Sequence, residues 1–213
     1  MMDPAKPRRY DSRRRRLQAA ATRAEILDAA LRLFEQRGYT ATSMAAIATE
    51  AGVALKTVYL AFQTKRGLLL ALWHLLLRGD EEAVPVGDRP WFREVVDEQD
   101  PERLLRLNAR NSRVVKERSG ALLEILRSAA PADAELNVLW RRIQTEFYEN
   151  QRSVVERLHA LGALRPGLDV ARGADILWTL NHPSVYGLLV GERGWTLDDF
   201  EEWLGDAFCA QLL

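Results

Sequence analysis

Apolar residues recur at three- and four-residue spacing through most of this chain, and no segment alternates apolar and polar residues over a strand's length. That periodicity predicts an all-α fold. The apolar share, 47% of 213 residues, suffices for one sizeable core or for a small domain joined to a larger one. A single cysteine, Cys209, excludes an intramolecular disulfide framework and any Cys-rich zinc site. It fits a reducing compartment. The longest strongly apolar run, Leu68 to Leu77 interrupted by His74, is about half of the roughly 20 residues that span a bilayer. No apolar stretch of signal-peptide length follows the basic N-terminus. The expectation is a cytoplasmic protein with no membrane partner.

The formal net charge is zero, with 30 basic and 30 acidic side chains, but the two signs are segregated. The first 78 residues hold 14 Lys+Arg against 6 Asp+Glu, and the remainder 16 against 24. A basic first third on an acidic body suggests a small polyanion-binding module attached to a domain with another task. Charge alone leaves DNA, RNA and membrane open.

Residues 1–21 read as a flexible basic arm ending near the run Arg13, Arg14, Arg15 and Arg16, either solvated or laid along a phosphate backbone or minor groove. Thr22-Arg23-Ala24-Glu25 has capping-box form and predicts a first helix from about Arg23 to Arg37, closed by Gly38. Thr42 or Ser43 caps a short second helix carrying Met44, Ile47, Ala48 and Ala51 up to Gly52. A third follows the turn, with Val58 and Phe62 four residues apart. Two short helices joined through a glycine turn within a basic three-helix module match a helix-turn-helix DNA reader.

The run Gly38-Tyr39-Thr40-Ala41-Thr42-Ser43-Met44-Ala45-Ala46-Ile47-Ala48-Thr49-Glu50-Ala51-Gly52-Val53, followed by Thr57-Val58-Tyr59, Phe62 and Lys65, closely resembles the TetR family of bacterial repressors. The resemblance covers about Thr22 to Leu77. It implies a helix-turn-helix DNA-binding module at 22–64, followed by a larger helical effector-binding and dimerisation domain at 65–213. Ala54, Lys56 and Arg66 stand where the family often has Ser, a small residue and Glu. Ala54 lacks a hydroxyl that could cap the third helix. Carried over residue by residue, the resemblance places Leu55, Lys56, Tyr59 and Leu60 towards base edges, and Thr42, Ser43, Thr57 and Lys65 towards phosphates. For Tyr59 the alternative is packing against Phe62 or the first helix. The implied partners are a near-palindromic double-stranded DNA operator, a second copy of the chain, and a small-molecule effector of unknown identity; no cofactor is implied.

In the body, a fourth helix starts at Lys65 with Thr64 as its cap. Further helices are predicted at Trp91 to Glu98, Asp100-Pro101 to about Arg118, Ala121 to Ala129, Asp133 to Leu161, Val170 to Leu180, Ser184 to Val190 and Leu197 to Leu212. The resemblance makes the last two long helices the dimer interface, with Leu177, Leu180, Phe200, Trp203, Leu204 and Phe208 as candidates. The same stripe suits an intramolecular core, which the sequence does not separate from an interface. Trp91, Trp140, Phe147, Tyr148, Trp178 and Tyr186, with Asn181 and His182 as polar groups, are candidates to line a lipophilic or aromatic effector pocket; each is also an ordinary core aromatic or cap.

An enzyme needs a nucleophile, base and stabiliser, or a metal, in workable geometry. His74, His159 and His182 form no HxxxH or HExxH spacing, Gly162 to Gly167 has no phosphate-loop pattern, and Asp198, Asp199, Glu201 and Glu202 read as first-turn acids. The expectation is a non-catalytic transcriptional regulator without a metal. The alternative is a helical DNA-binding protein whose body docks a protein partner instead of sensing a small molecule.

Overall fold

A computed structural model of the chain describes residues 9–79 and 84–213, with side chains from Arg14 onward. Among these residues the regular elements are all helical, and no single helix is long and apolar enough to cross a membrane. The chain divides into two compact units, the first ending at Leu72 and the second running from Trp73 to Leu213.

The first unit holds α1 (Arg9–Ala41), α2 (Met44–Glu50), α3 (Leu55–Phe62) and the start of α4 (Lys65–Arg78). Residues 9–21, expected as a flexible arm, are part of α1, and Thr22 and Glu25 lie inside that helix instead of opening it. Arg, Leu, Gln and Ala dominate positions 14–21, and these are among the strongest helix formers, so nothing in the run stops the helix. Residues 1–8 of the expected arm and the side chain of Arg13 lie outside the described residues. Gly38 does interrupt the helix, with φ 76° and ψ 169°. Tyr39 then folds back on Phe34, ring centroids 5.6 Å apart.

The core of this unit is built from Ile26, Leu27, Ala30 and Phe34 of α1, Ile47 and Ala48 of α2, Val58 and Phe62 of α3, and Leu68, Leu69 and Leu72 of α4, all buried. Burying each larger side chain contributes about 1.5–3 kcal/mol. Arg23 adds a second kind of contact: its guanidinium lies 4.2 Å from the Phe62 ring centroid and donates to the Ala61 carbonyl at 3.1 Å.

The joint between α3 and α4 is unusually tight. Gln63 adopts φ 61°, ψ −49°, and the Thr64 N–H donates to the Phe62 carbonyl at 2.7 Å. This is the positive-φ γ-turn, a rare and strained arrangement for a residue with a Cβ. Thr64 caps α4 as expected, its hydroxyl accepting from the Gly67 N–H at 2.9 Å. Gly67 is required by closeness, since a Cβ there would overlap the Phe62 carbonyl oxygen.

The second unit contains α5 (Pro90–Asp97), α6 (Pro101–Ala129), α7 (Ala134–Ala160), α8 (Val170–Leu180), α9 (Pro183–Tyr186) and α10 (Leu197–Leu212). Their starts follow the sequence chemistry. Asp100, Asp133 and Asp169 accept from first-turn amides, and Thr196 and Asp199 form a reciprocal capping box. The α6 span is one helix where two were expected. Gly120 does not break it, because a lone glycine costs only about 1 kcal/mol relative to Ala; its bare Cα faces the Tyr186 ring. Beyond Tyr186 the expected α-helix gives way to a π-helical segment, Gly187–Glu192. Helix α10 packs along α6 and α7 along α8, enclosing a core that includes Leu104, Leu105, Val154, Val155 and Leu158.

Replacing Gly67 by Ala should destabilise the protein by about 1–3 kcal/mol through overpacking, whereas Gly87→Ala, with open space around its Cα, should stay within about 0.5 kcal/mol. Urea unfolding of the two variants checks this. Equal effects would remove the proposed clash.

Candidate functional site

Two features stand out, an exposed helix face in the first unit and a cavity in the second. The axes of α2 and α3 turn by 113°, within the 90–120° of a helix-turn-helix. The turn between them needs Gly52, whose φ is 66°, and the Val53 N–H donates to the Ala48 carbonyl at 3.0 Å. Val58 and Phe62 point into the core. The opposite face leaves Leu55 41%, Tyr59 48% and Leu60 75% exposed, with Lys56 beside them in solvent. Tyr59 therefore does not serve as core packing. Three exposed apolar side chains and a lysine on an eight-residue helix form a surface suited to a partner with apolar edges and acceptors, as the major groove has in thymine methyls and guanine N7 and O6. No side-chain cap holds the helix start, since Ala54 has no hydroxyl.

The residues expected at phosphates separate into two groups. Ser43 is exposed and caps α2, accepting from the Ala46 N–H at 3.1 Å, and Thr57 is half-buried at the first turn of α3. Thr42 is only 1% exposed, and its hydroxyl donates to the Leu33 and Gly38 carbonyls. Its expected phosphate contact is corrected accordingly: the side chain ties the end of α1. Lys65 Nζ donates to the carbonyls of Tyr39 at 2.8 Å and Thr42 at 2.9 Å and lies 4.1 Å from the Tyr39 ring centroid. Here too the expected phosphate role gives way to a clamp on the turn after α1. Arg14, Arg15 and Arg16 are exposed on α1.

The cavity of the second unit has a volume of about 490 Å³ and is lined by Trp73, Leu77, Val115, Leu123, Ile143 and Phe147 among its apolar groups, with Lys116 and Asn181 at its polar side. Lys116 is 4% exposed, and its ammonium donates to the Asn181 side-chain carbonyl. Asn181 donates in turn to Ser112 Oγ at 2.8 Å and Gln151 Oε1 at 3.1 Å. Asn108 donates to the same Gln151 oxygen at 3.3 Å. This hydrogen-bonded chain joins α6, α7 and the end of α8. Burial holds the Lys116 pKa down at about 7.

Of the expected pocket residues, Phe147 and Asn181 line this cavity, and Trp91 lines a smaller recess that also touches Phe147 and Lys116. Trp140 and Tyr186 line a different hollow, between α6, α7 and the π-helical segment. Tyr148, Trp178 and His182 border neither. Tyr148 lies close to Asp175, while His182 caps α9 through Nδ1 and meets the Trp178 ring edge-on at 5.1 Å. Sequence reasoning missed Lys116, Asn108, Ser112 and Gln151. A signal existed on α6, where 108, 112, 116 and 119 continue the stripe of Leu104, Leu122 and Leu126 at helical spacing.

The dimer candidates need the largest correction. Leu177, Phe200, Leu204 and Phe208 are all fully buried within the subunit, because α10 lays this stripe along α6 and joins it to the Leu104 and Val154 core. Leu180 and Trp203 sit half-buried at its margin.

The depressed lysine pKa has a testable sign. Between about pH 7 and its ordinary value of 10.5, the unfolded chain holds a proton on Lys116 that the folded chain lacks, so stability rises with pH across that window. The penalty is largest below pH 7. Lys116→Met should raise the Tm at pH 7 and narrow its advantage at pH 9.5; a constant difference at both pH values would show an ordinary solvated lysine.

The family model for bacterial regulatory proteins, tetR family, matches residues 26–72, the segment that carries the helix-turn-helix. The HTH-type transcriptional regulator AcrR of Shigella flexneri is 33% identical over 172 residues, covering 78% of this chain and 77% of that protein. Among solved structures, the SmeT–triclosan complex superposes with a TM-score of 0.68 at 21% identity, covering 91% of this chain and 92% of that one. FadR from Bacillus subtilis in complex with stearoyl-CoA gives 0.69 at 17% identity, covering 89% and 99%. The helix-turn-helix geometry, the all-helical body and the relationship to AcrR together establish that this chain belongs to the TetR family of bacterial transcriptional regulators.

Proposed function

We propose that the protein is a ligand-responsive repressor, acting in the cytoplasm as a homodimer on a near-palindromic operator and released by a small lipophilic or aromatic molecule. The observation that carries the reading is the outward face of α3, where Leu55, Lys56, Tyr59 and Leu60 stay in solvent while Val58 and Phe62 anchor the helix. Lys56 suits guanine, and Leu55 and Leu60 suit thymine methyls. Ser43 and Thr57 flank this face as phosphate contacts, and the exposed arginines 14–16 add sequence-independent attraction.

The body supports the sensing half. Its cavity falls in the size range of small-molecule sites, and two structural neighbours, SmeT and FadR, are complexes with triclosan and stearoyl-CoA. Helix α4 begins in the first unit and contributes Trp73, His74 and Leu77 to the cavity wall, so a ligand there acts on the helix that follows the DNA reader. The coupling needed is typically 1–3 kcal/mol. We propose pairing through the remaining side chains of α8 and α10, with Leu180 and Trp203 at the subunit surface.

In vitro selection from random duplex DNA should enrich a palindrome with half-sites roughly 34–36 Å apart. Lys56→Ala combined with Tyr59→Ala should lose the motif while keeping the wild-type Tm, because both side chains are exposed. Recovery of only salt-sensitive, sequence-independent binding by the wild type would reject the operator reading.

A further inference from the structure

Among the described residues, Lys116 is a buried amine without a counter-charge. Its neighbours Asn181, Ser112, Gln151 and Asn108 are neutral, and the Phe147 ring centroid lies 6.0 Å from Nζ. The cavity wall does carry carboxylates, Glu146 and Glu149. Glu146 is spent on Arg142 at 2.7 Å, and Glu149 is exposed. Burial alone accounts for the lowered lysine pKa, with no carboxylate acting on it. Leaving a cation in such a place is costly unless something of opposite charge joins it.

A second observation points the same way. Gln144 lines the cavity, and both atoms of its side-chain amide are buried with no hydrogen-bond partner. Buried amides without partners are rare in folded proteins and mark places where a group is missing. The cavity thus offers an apolar wall of Trp73, Leu77, Val115, Leu123, Ile143 and Phe147, an ammonium lacking its anion, and an amide lacking an acceptor.

We propose that this cavity takes an amphipathic organic acid, with the apolar body against Trp73, Leu77 and Phe147 and the carboxylate paired to Lys116, the Gln144 amide completing its coordination. The proposal deepens the effector reading above and rests on it. A carboxylate replaces the neutral Asn181 oxygen as the lysine's partner, and charge-assisted hydrogen bonds of this kind are about twice as strong as neutral ones. A cationic ligand meets the opposite field. Among the described residues, the titratable and charged groups lining the cavity besides Lys116 are His74 and Arg78 on α4 and Arg142, Glu146 and Glu149 on α7, and His182, ahead of α9, feels the Lys116 charge from outside the lining. Both histidines are held below their ordinary range, by burial first, so they do not compete as cations near neutral pH.

The test is calorimetric titration of the full-length protein with decanoate, decanol and decylamine at pH 7. Decanoate should bind at least about tenfold tighter than either analogue, the gain expected of one desolvated charged hydrogen bond. Lys116→Met should erase the acid's advantage while keeping decanol binding. Asn181→Asp, which supplies an internal carboxylate to the same ammonium, should do likewise. Wild-type affinity for decanoate should fall from pH 7 to pH 9, as the free lysine loses its proton, and the Lys116→Met affinity should not. Leu77→Trp, which fills the cavity, should block all binding. An acid preference that survives Lys116→Met, or equal affinity for acid and alcohol, overturns the assignment while leaving an effector cavity in place. Binding of none of the three probes overturns it as well. Lys116-dependent decanoate binding that fails to release operator DNA would instead fault the effector reading and leave the acid site standing.

Discussion

Short helices do not hold themselves together in water. At seven and eight residues, α2 and α3 are well below the length at which an isolated helix becomes stable, so the exposed face of α3, which we propose reads DNA, exists only because its rear is buried. Val58 and Phe62 supply that anchorage, and three polar clamps fix the frame around it. Thr42 ties the end of α1, Lys65 gathers the carbonyls of Tyr39 and Thr42, and Arg23 joins α1 to the end of α3. Each clamp commits a side-chain donor to backbone carbonyls near a helix end or turn. The same residues that resemble the family motif therefore divide into those that face the partner and those that keep the face in position.

That division explains what the sequence revealed and what it did not. The helix-turn-helix was legible because its determinants are local: a capping serine, a glycine in the turn, and Val58 and Phe62 at helical spacing. Whether a hydroxyl or ammonium points outward is a tertiary fact, so Thr42 and Lys65 were read as phosphate contacts although both turn inward. The arm before Thr22 was misjudged for a different reason. Charge density was read as disorder, while the individual residues at 14–21 favour helix. The α2 cap was readable only as Thr42 or Ser43, and the structure gives it to Ser43.

In the body, α8 and α10 were legible, but the partner of each apolar stripe was not. A stripe carries no label saying whether the same chain or another covers it; Phe200, Leu204 and Phe208 turn out to be covered by α6. The polar core was harder still. Asn108, Ser112 and Lys116 occupy core positions of α6, where residue type argues for solvent and periodicity argues for burial. Their burial depends on α7 and α8 bringing Gln151 and Asn181 within hydrogen-bonding distance. Such a network fixes the register of three helices more narrowly than apolar packing can, since every member has a directional partner.

The positive-φ turn at Gln63 gives the junction after α3 a mechanical character. A glycine in its place would relax the strain and at the same time widen the range of angles available to α4, because glycine tolerates many backbone conformations. The strained residue thus gives up some folding energy and in return leaves α4 a narrow range of directions in which to depart from α3. That narrowness fixes how the eight-residue α3 sits against the start of α4 within the first unit.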